Sequence, residues 1–544
     1  MHMKNKHGIT KWIVFSIFPA FIALSDIAFH EAELSAGPFI GKTLLYAVLL
    51  LILLFLSDQL YSFLMKPEPC RRWHSFFTFS RKNIFRLSVV IFAVYAMFLY
   101  VYRPGTCGAD TTNQIWDLVT GMEPLPFDWW PWQEKVSALM NDHHPVVTTL
   151  IFTFFYRLGL AAGNPNYGLF LYGLCQISCL AILFSYIVCR MDRFGIPKLF
   201  ALFSLIFFCS PVVAYFSISM IKDSLFSIVF VLFYLEYTEI IRRTLKKETL
   251  SRSALPLLLL FSVGIALMNK KGMYIALISD LALLPLFPGC RAKIRVLCCA
   301  LAPVFVITVL MGRILFPLFE IYPGGKQEAL GFTLQQTAGL LLENPNAFSE
   351  EDKALFFRIV DIPPEELEIR FYPDRVDGVK CHFNFFASDE DLAAYRKMWF
   401  SQVLRHPISM LKISLTVNGG YFAPLKTANV FYYADYEENL GAFQQPESGK
   451  PLWEAVTYRF DNAEHKPVLS LFFTDAFVLF WFPIATSYLL LKRCKKASLI
   501  CMVPLAANIV FLVLGPVCWT RYGLCQIFTF PIWASLPLER SGAE

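Results

Sequence analysis

The feature that most restricts the fold of this chain is a series of about twelve apolar runs, each long enough or nearly long enough to cross the ~30 Å hydrocarbon core of a bilayer. Hydrophobic residues make up 56% of the 544 residues and charged residues only 17%, against about 25% in a soluble domain. A soluble core cannot absorb this much apolar surface, so we predict an all-α polytopic membrane protein. The net charge of +6 is small for this length and does not indicate nucleic-acid binding. The runs lie near residues 12–29, 39–58, 84–102, 167–189, 199–217, 222–241, 254–268, 272–288, 296–316, 468–490, 497–516 and 521–537.

The basic clusters between these runs predict the topology, because cytoplasmic loops carry an excess of Lys and Arg. If residues 145–162 do not span, all the clusters fall on one side, which is then the cytoplasm. We therefore predict that 145–162 and 408–424 lie at the outer membrane surface or dip partway in, that the first apolar run is retained as a helix, and that both termini are cytoplasmic. The clusters are Lys4/Lys6/Lys11, Lys66/Arg71/Arg72/Arg81/Lys82, Arg190/Arg193/Lys198, Arg242/Arg243/Lys246/Lys247/Arg252, Arg291/Lys293/Arg295 and Lys492/Arg493/Lys495/Lys496.

This topology divides the chain into five segments. Residues 1–102 form N-terminal transmembrane helices, and 103–166 form an external loop with juxtamembrane helices. Residues 167–316 form central transmembrane helices, 317–467 a mainly helical external domain, and 468–544 the C-terminal transmembrane helices. Two large segments thus face outside, and they carry most of the polar residues that chemistry would need.

The first external loop begins with an acid, Asp110, just past the outer end of the third run. Gln114 follows four residues later, so one helical face can carry both side chains. Further on, Asp142 precedes His143, His144 and a proline; Asp142 reads equally well as a helix N-cap, and the histidines as polar residues at a wet interface. Amphipathic rings along the loop indicate that it lies on the membrane face: Trp116, Trp129, Trp130 and Trp132.

Other polar residues fall at the same predicted depth. Lys222, Lys270 and Arg521 lie at outer ends of spans and could converge on one anion, although a single cation there is also explained by snorkelling. Asp223 follows Lys222. Asp280 differs, since it lies about two turns inside the membrane, where an ionisable group is costly and suggests a site or a buried partner.

Several segments in this order resemble the GT-C class of membrane glycosyltransferases, which use polyprenyl-phosphate-linked sugars. Asp110 matches the acid that opens the first large external loop of that class, and His144-Pro145 its Pro-containing helix start. "SPVVAYFSISMIKD" (210–223) resembles the class's hairpin with Lys222 and Asp223. The most specific stretch, "LGFTLQQTAGLL" (330–341), looks like the LQQ-T/I-A signature of an uncharacterised bacterial family of such proteins.

Two further segments extend the resemblance. "MNKKGMYIAL" (268–277) resembles a basic N-x-G-x-Y hairpin and contributes Asn269 and Lys270. "WTRYGLCQIFTFPI" (519–532) resembles a closing R-Y-x-x-P segment and contributes Arg521 and Tyr522. This chain departs from the class in two ways: its first external loop follows the third span, and no DxD motif surrounds Asp110.

The resemblance implies a GT-C-like bundle of about twelve transmembrane helices with its active site outside the bacterial cytoplasmic membrane. Such an enzyme would move a sugar from a polyprenyl-phosphate donor to a cell-envelope glycan or lipid acceptor. Asp110 would be the catalytic base, and the fixed cations would stabilise the leaving phosphate. His143, His144, Gln335 and Gln336 would contact substrate, although both glutamines fit equally well as a polar helix start packed against the bundle.

Alternatives remain open from the residues alone. A transporter or flippase of a lipid-linked sugar would explain Asp280, but no paired repeats are visible. An envelope polysaccharide polymerase or ligase would use chemistry close to that of the transferase. The adjacent Asp142, His143 and His144 cannot all reach one ion unaided, so no metal or other cofactor is expected, and the absent DxD motif agrees. Cys107 and Cys381 lie in polar segments and could pair.

Overall fold

The computed structural model of the protein describes residues 17–30, 34–67, 72–120, 140–322, 324–384, 386–424, 443, 447–463 and 474–540. Helices dominate these residues, which agrees with the predicted all-α class. The basic N-terminal head, Trp129, Trp130, Trp132 and both chain termini lie outside the described residues.

Four α-helices lie among the described residues up to Thr120. Two of them, α2 and α3, are long and apolar, and α3 begins at an N-cap where the Ser80 hydroxyl accepts a hydrogen bond from the backbone N–H of Asn83. The fourth is short and starts the first external loop. The helices are α1 (Phe18–Phe29), α2 (Ala36–Leu64), α3 (Arg81–Val101) and α4 (Ala109–Thr120).

The central region contains eight helices. Together they carry the six apolar runs predicted for this region and the ambiguous run 145–162. The run 199–217 is divided between α7 and α8, which form one bent pair with an angle of 51°. The helices are α5 (Val146–Ala161), α6 (Pro165–Arg190), α7 (Lys198–Phe208), α8 (Pro211–Ile218), α9 (Lys222–Leu245), α10 (Ala254–Met268), α11 (Lys270–Ala282) and α12 (Cys290–Phe305), the last continuing as a π-helix over Val306–Leu315.

The remaining helices belong to the second external segment and the C-terminal region. The external ones are α13 (Phe316–Leu318), α14 (Lys326–Glu343), α15 (Glu350–Ile359), α16 (Leu367–Arg370), α17 (Asp377–Lys380), α18 (Asp389–Arg405), α19 (Pro407–Asn418) and α20 (Lys450–Ala463). The C-terminal ones are α21 (Phe482–Lys492), α22 (Val503–Val513) and α23 (Thr520–Ser535).

Six helices are long and apolar enough to cross a membrane, or seven if the bent pair α7–α8 counts as one span. They coincide with the predicted runs at 39–58, 84–102, 167–189, 222–241, 296–316 and 497–516. Helices α1, α5, α10 and the Phe477–Lys492 segment are apolar but shorter. The chain is therefore a membrane protein, and six of the roughly twelve predicted runs, or seven with the bent pair, coincide with full-length apolar helices in the described part of the chain.

The second external segment has a hydrophobic core of its own. Side chains from Leu330 to Ile413 form a cluster separate from the core of the apolar bundle. Helix α19, inside the ambiguous stretch 408–424, belongs to both regions: Met410 and Ile413 pack in the external core, while the Asn418 side chain donates hydrogen bonds to the Val513 and Gly515 carbonyls. This stretch joins the external domain to the bundle.

Helices α5 and α6 form a tight hairpin around two glycines. A Cβ on Gly159 would lie 2.6 Å from the Gly168 nitrogen and the Pro165 oxygen, and one on Gly168 would overlap the Phe155 carbonyl. At 16 residues, α5 is about 24 Å long, which is shorter than a straight span. The predicted assignment of 145–162 as a juxtamembrane helix therefore suits its length.

We expect Gly168→Ala to destabilise this hairpin by about 1–3 kcal/mol, because the added methyl group meets backbone that cannot rotate away. Thermal unfolding of the purified protein in detergent measures the effect. Gly41→Ala is the matched control, since a Cβ at Gly41 would contact nothing within 4 Å. A melting temperature for Gly168→Ala equal to that of Gly41→Ala would contradict the close packing.

Both thiols of the suggested Cys107–Cys381 disulfide are free. Cys107 is buried in the core beside α5 and α6, and burial raises the pKa of its thiol to about 12. The suggestion was therefore wrong, because Cys107 packs as a small apolar side chain.

Candidate functional site

Two parallel pairs of very short strands hold the external loops against the bundle. Strand β1 (Thr106–Cys107) pairs with β3 (Ser219–Met220), and β2 (Met140–Asn141) pairs with β4 (Ile321–Tyr322). The first pair joins the chain entering α4 to the chain entering α9, and the Thr111 hydroxyl donates a further hydrogen bond to the Met220 carbonyl at 2.6 Å. The N-termini of α4 and α9 are thus adjacent.

This arrangement places a cluster of two carboxylates and two cations at the N-terminal ends of α4, α9 and α23. The Lys222 ammonium donates a hydrogen bond to Asp110 Oδ2 at 3.0 Å, and Arg521 Nη1 lies 3.3 Å from the same oxygen. Arg521 Nε lies 3.9 Å from Asp223 Oδ2. The Arg521 and Asp223 side chains are only 3% and 1% exposed, whereas Asp110 is 29% exposed. The Asp110 carboxylate is therefore the open member of a mostly buried network.

The cations keep Asp110 ionised. Burial alone would raise the pKa of the Asp110 carboxyl, but Lys222 and Arg521 hold it well below its usual range. An ionised carboxylate in contact with two cations is stable but weakly basic, so its capacity to accept a proton depends on where those cations are.

His144 is the second side chain in contact with Lys222, after Asp110. Its Nδ1 lies 2.9 Å from the Lys222 nitrogen, and burial together with the lysine charge lowers the pKa of His144 well below its usual value. The imidazole is thus neutral and accepts a hydrogen bond from Lys222 at Nδ1, which leaves its proton on Nε2. The predicted residues Asp110, His144, Lys222, Asp223 and Arg521 all meet in this cluster.

Gln114 supports the cluster without facing it. Its amide nitrogen donates to the Asp110 backbone oxygen at 3.1 Å, and its amide oxygen accepts from the Thr148 and Thr149 hydroxyls on α5. With its hydrogen bonds used in this way and its side chain buried, Gln114 positions α4 on α5, whereas the prediction gave it substrate contact.

The hairpin between α10 and α11 contributes Asn269, as predicted, and Lys271 in place of the predicted Lys270. Asn269 caps α11 and donates to Asp223 Oδ1 at 3.4 Å. Lys270 points away, toward Asp142 Oδ1 at 3.3 Å, and its side chain is 54% exposed. The neighbouring Lys271 instead turns inward and donates to the Tyr522 carbonyl at 2.8 Å. Sequence reasoning missed Lys271, because which of two adjacent lysines faces inward depends on the phase of α11.

Aromatic rings enclose the arginine. The Arg521 guanidinium lies 4.6 Å from the Trp519 ring centroid and 5.1 Å from that of Tyr522, and its Nη2 donates to the Tyr522 hydroxyl at 3.2 Å. Both rings stack with their planes 5° apart. This packing holds a charged group in a low-dielectric setting with one fixed orientation.

A second ionic group connects the loop to the external domain. His143 lies 3.8 Å from Glu328, which Lys380 contacts at 3.1 Å. Asp142 accepts a hydrogen bond from the Gly324 backbone N–H. Burial would raise the pKa of Glu328, yet Lys380 and His143 lower it overall. His143 therefore contacts the external domain, whereas its neighbour His144 contacts the cluster.

Gln335 and Gln336 lie apart from this site, in the external domain. Gln335 donates to the Tyr372 carbonyl at 2.7 Å. Gln336 donates to the Ser414 hydroxyl at 2.8 Å and accepts from the Trp399 indole at 2.9 Å. Of the two interpretations that the sequence left open, packing accounts for these contacts.

The donor set at the cluster does not suit a divalent metal. Lys222 and Arg521 already occupy the positions beside Asp110 Oδ2 that a metal ion would take. Across the described ranges, no three His, Cys, Asp or Glu side chains gather as metal ligands would. The chemistry proposed below uses no metal.

The sequence model of a family described as "Family of unknown function (DUF6020)" matches residues 62–536, which is most of the chain. No curated protein matches the chain. No solved structure matches it either.

Proposed function

The chain belongs to the family of unknown function DUF6020, and from the geometry of its ionic cluster we propose that it is a membrane glycosyltransferase with a GT-C-like bundle. It would transfer a sugar from a polyprenyl-phosphate donor to a cell-envelope glycan or lipid. The observation that carries the proposal is the convergence of Lys222 and Arg521 on the partly open Asp110 carboxylate, with His144 in contact with Lys222. A polymerase or ligase of envelope polysaccharide would use the same chemistry.

In this proposal the cations bind the donor phosphate. A phosphate reaching Lys222 and Arg521 would form charge-assisted hydrogen bonds with both, and Lys271, which pairs with no carboxylate in the described structure, would add a third positive charge. Fixed cations of this kind stabilise the charge that develops on a leaving phosphate.

Asp110 then acts as the base. Each cation that turns toward the phosphate leaves the Asp110 carboxylate less stabilised, so its basicity rises when the donor is bound. A carboxylate at hydrogen-bond distance can accept the proton of an acceptor hydroxyl as the hydroxyl oxygen attacks the anomeric carbon. Binding of the donor and activation of Asp110 as a base are thus coupled, because both change the contacts of Lys222 and Arg521 with Asp110.

The location of the cluster supports a lipid-linked donor. Helix α9 carries Lys222 at its first residue and Arg242 and Arg243 in its last turn. Its 24 residues are about 36 Å long, which is enough to separate the two faces of a bilayer. If the basic end faces the cytoplasm, as the positive-inside rule expects, the cluster lies at the outer face of a bacterial cytoplasmic membrane.

The direct test measures whether the protein consumes a sugar donor. The purified chain is reconstituted in lipid with a panel of radiolabelled polyprenyl-phosphate sugars, and release of polyprenyl phosphate is measured. We expect one donor to be consumed, with sugar transferred to an acceptor or to water. A donor that binds and is never consumed would contradict a transferase.

A transporter of lipid-linked sugar is the second candidate, and Asp280 is the observation that favours it. Asp280 is fully buried in α11, its Oδ2 accepts from the Ser262 hydroxyl at 2.8 Å, and its Oδ1 has no hydrogen-bond partner in the described part of the chain. Movement of an intact donor between leaflets that is lost in Asp280→Asn would support transport.

We expect Lys222→Met to shift the acidic limb of kcat/KM to higher pH by about one to three pH units. Removing the ammonium removes a charge that favours the carboxylate, so the pKa of Asp110 rises and the base is protonated at higher pH than in the wild type. The measurement is kcat/KM for the consumed donor across pH. Lys270→Met is the control, because Lys270 pairs with Asp142 outside the cluster; the same shift in both variants would refute the assignment.

A further inference from the structure

A polar cavity lies at the end of the bundle opposite the cluster, where α6 and α9 end and α10 begins. Its volume is about 490 Å³. The cluster lies at the first turn of α9, whereas Arg242, which lines the cavity, lies in the last turn, about 30 Å further along the helix. Nothing in the proposed transferase chemistry uses this cavity.

The wall of the cavity changes character along its depth. Apolar side chains from the helices form one part, including Leu232, Leu257 and Phe261, while charged side chains from the helix ends form the rest. A wall that is apolar toward the membrane and ionic toward the helix ends suits an amphiphile, whose chain lies among apolar side chains and whose head group contacts the charges.

The charged part carries a surplus of cations. Five basic and three acidic side chains line the cavity. Glu239 contacts three of the arginines, with Arg190 at 2.7 Å, Arg242 at 3.1 Å and Arg243 at 2.6 Å, and Arg242 also pairs with Glu539. Each guanidinium has five N–H donors, so this arrangement holds the arginines in place and leaves donors unused. The basic side chains are Arg190, Arg193, Arg242, Arg243 and Lys246.

Two of these cations are available to a ligand. Arg193 lies over the Phe79 ring at 3.5 Å, and neither Arg193 nor Lys246 forms an ion pair with a carboxylate among the residues described. Cations at helix C-termini are ordinary complements of the helix dipole. That role does not explain an open cavity of this volume that apolar helix side chains also line.

We propose that this cavity binds the phosphate head group of an anionic membrane phospholipid from the leaflet opposite the cluster. Basic pockets between transmembrane helices on the cytoplasmic side are suited to such head groups. Arg193 and Lys246 contact the phosphate, the Glu239-held arginines supply further N–H donors, and an acyl chain lies along Leu232, Leu257 and Phe261. Glu236, which also lines the cavity, opposes the anion and limits its affinity.

The test uses the full chain in phosphatidylcholine vesicles that contain a trace of spin-labelled phosphatidylglycerol or phosphatidylcholine. Electron spin resonance measures the fraction of each lipid held by the protein. We expect the wild type to prefer phosphatidylglycerol by about fivefold or more, and Arg193→Gln with Lys246→Gln to lose most of this preference. Arg291→Gln with Lys293→Gln is the matched control, since both residues belong to a basic cluster on the same predicted face and lie outside the cavity; it should keep the preference.

Glu236→Gln gives an independent result in the opposite direction. Removing a carboxylate from the cavity should strengthen phosphatidylglycerol binding, and an excess of glycerol phosphate should not displace the lipid. Weaker binding in Glu236→Gln would indicate a head group that carries an amine and would overturn the proposal. Displacement of the lipid by glycerol phosphate would also overturn the proposal, because it indicates a site for a free anion. An equal loss of the phosphatidylglycerol preference in the two double variants would overturn it as well. None of these outcomes depends on glycosyl transfer.

Discussion

Asp110→Asn should lower kcat of the transferase by about 10²–10⁴-fold, the range typical of a lost general base. The same variant should bind the donor at least as tightly as the wild type. The neutral amide no longer competes with the phosphate for Lys222 and Arg521, which contact Asp110 Oδ2 at 3.0 and 3.3 Å. Turnover and donor binding would be measured on the same preparation in lipid.

Asp117→Asn is the control for this prediction. Asp117 lies on the same helix and contacts Asn141 at 2.8 Å, away from the cations, and burial raises the pKa of its carboxyl to about 6. We expect kcat to change by less than about threefold, as for a substitution outside the reacting groups. If Asp110→Asn keeps wild-type turnover, the base lies elsewhere in the protein. If donor binding is lost together with turnover, Asp110 has a structural role.

Arg521→Met should destabilise the protein by about 3–5 kcal/mol, the cost of leaving a buried charge without its partner. Arg521 is 3% exposed and lies 3.9 Å from Asp223, which is 1% exposed. Its removal also takes away the packing between the guanidinium and the Trp519 and Tyr522 rings. Thermal unfolding in detergent, with and without bound polyprenyl phosphate, measures the loss.

Two further variants separate charge pairing from loss of a large side chain. Arg521→Met combined with Asp223→Asn should recover part of the stability, because the buried carboxylate is then neutral. Arg375→Met should cost less than about 1 kcal/mol, since Arg375 pairs with Asp374 and both side chains are more than half exposed. Equal destabilisation by the two arginine substitutions would argue against a buried ionic network.

The sequence was sufficient to predict three of the charged residues that meet in the cluster. Asp110, Lys222 and Arg521 each lie next to an apolar run, and helices that end at one face of a bilayer place such residues at one depth. This reasoning depends only on depth along the membrane normal. The cluster could therefore be predicted without the arrangement of the helices.

Other features depend on rotation about a helix or on pairing across long sequence distances. Lys271 rather than Lys270 faces the cluster because of the phase of α11. Gln335 and Gln336 turn into the external domain, where Tyr372 and Ser414 accept their hydrogen bonds. Strands of two residues, such as β1 and β3, carry no periodicity that a sequence pattern could reveal.

The measurement that tests the central claim most directly compares the binding of polyprenyl phosphate and uncharged polyprenol. If the cluster of Asp110, Lys222 and Arg521 is a phosphate site, the wild type should bind polyprenyl phosphate about tenfold more tightly or better, because charge-assisted hydrogen bonds are available only to the phosphate. Lys222→Met should remove most of that preference, and Lys270→Met should retain it. Equal affinity of the wild type for the two lipids would contradict a phosphate site and, with it, the proposed transferase.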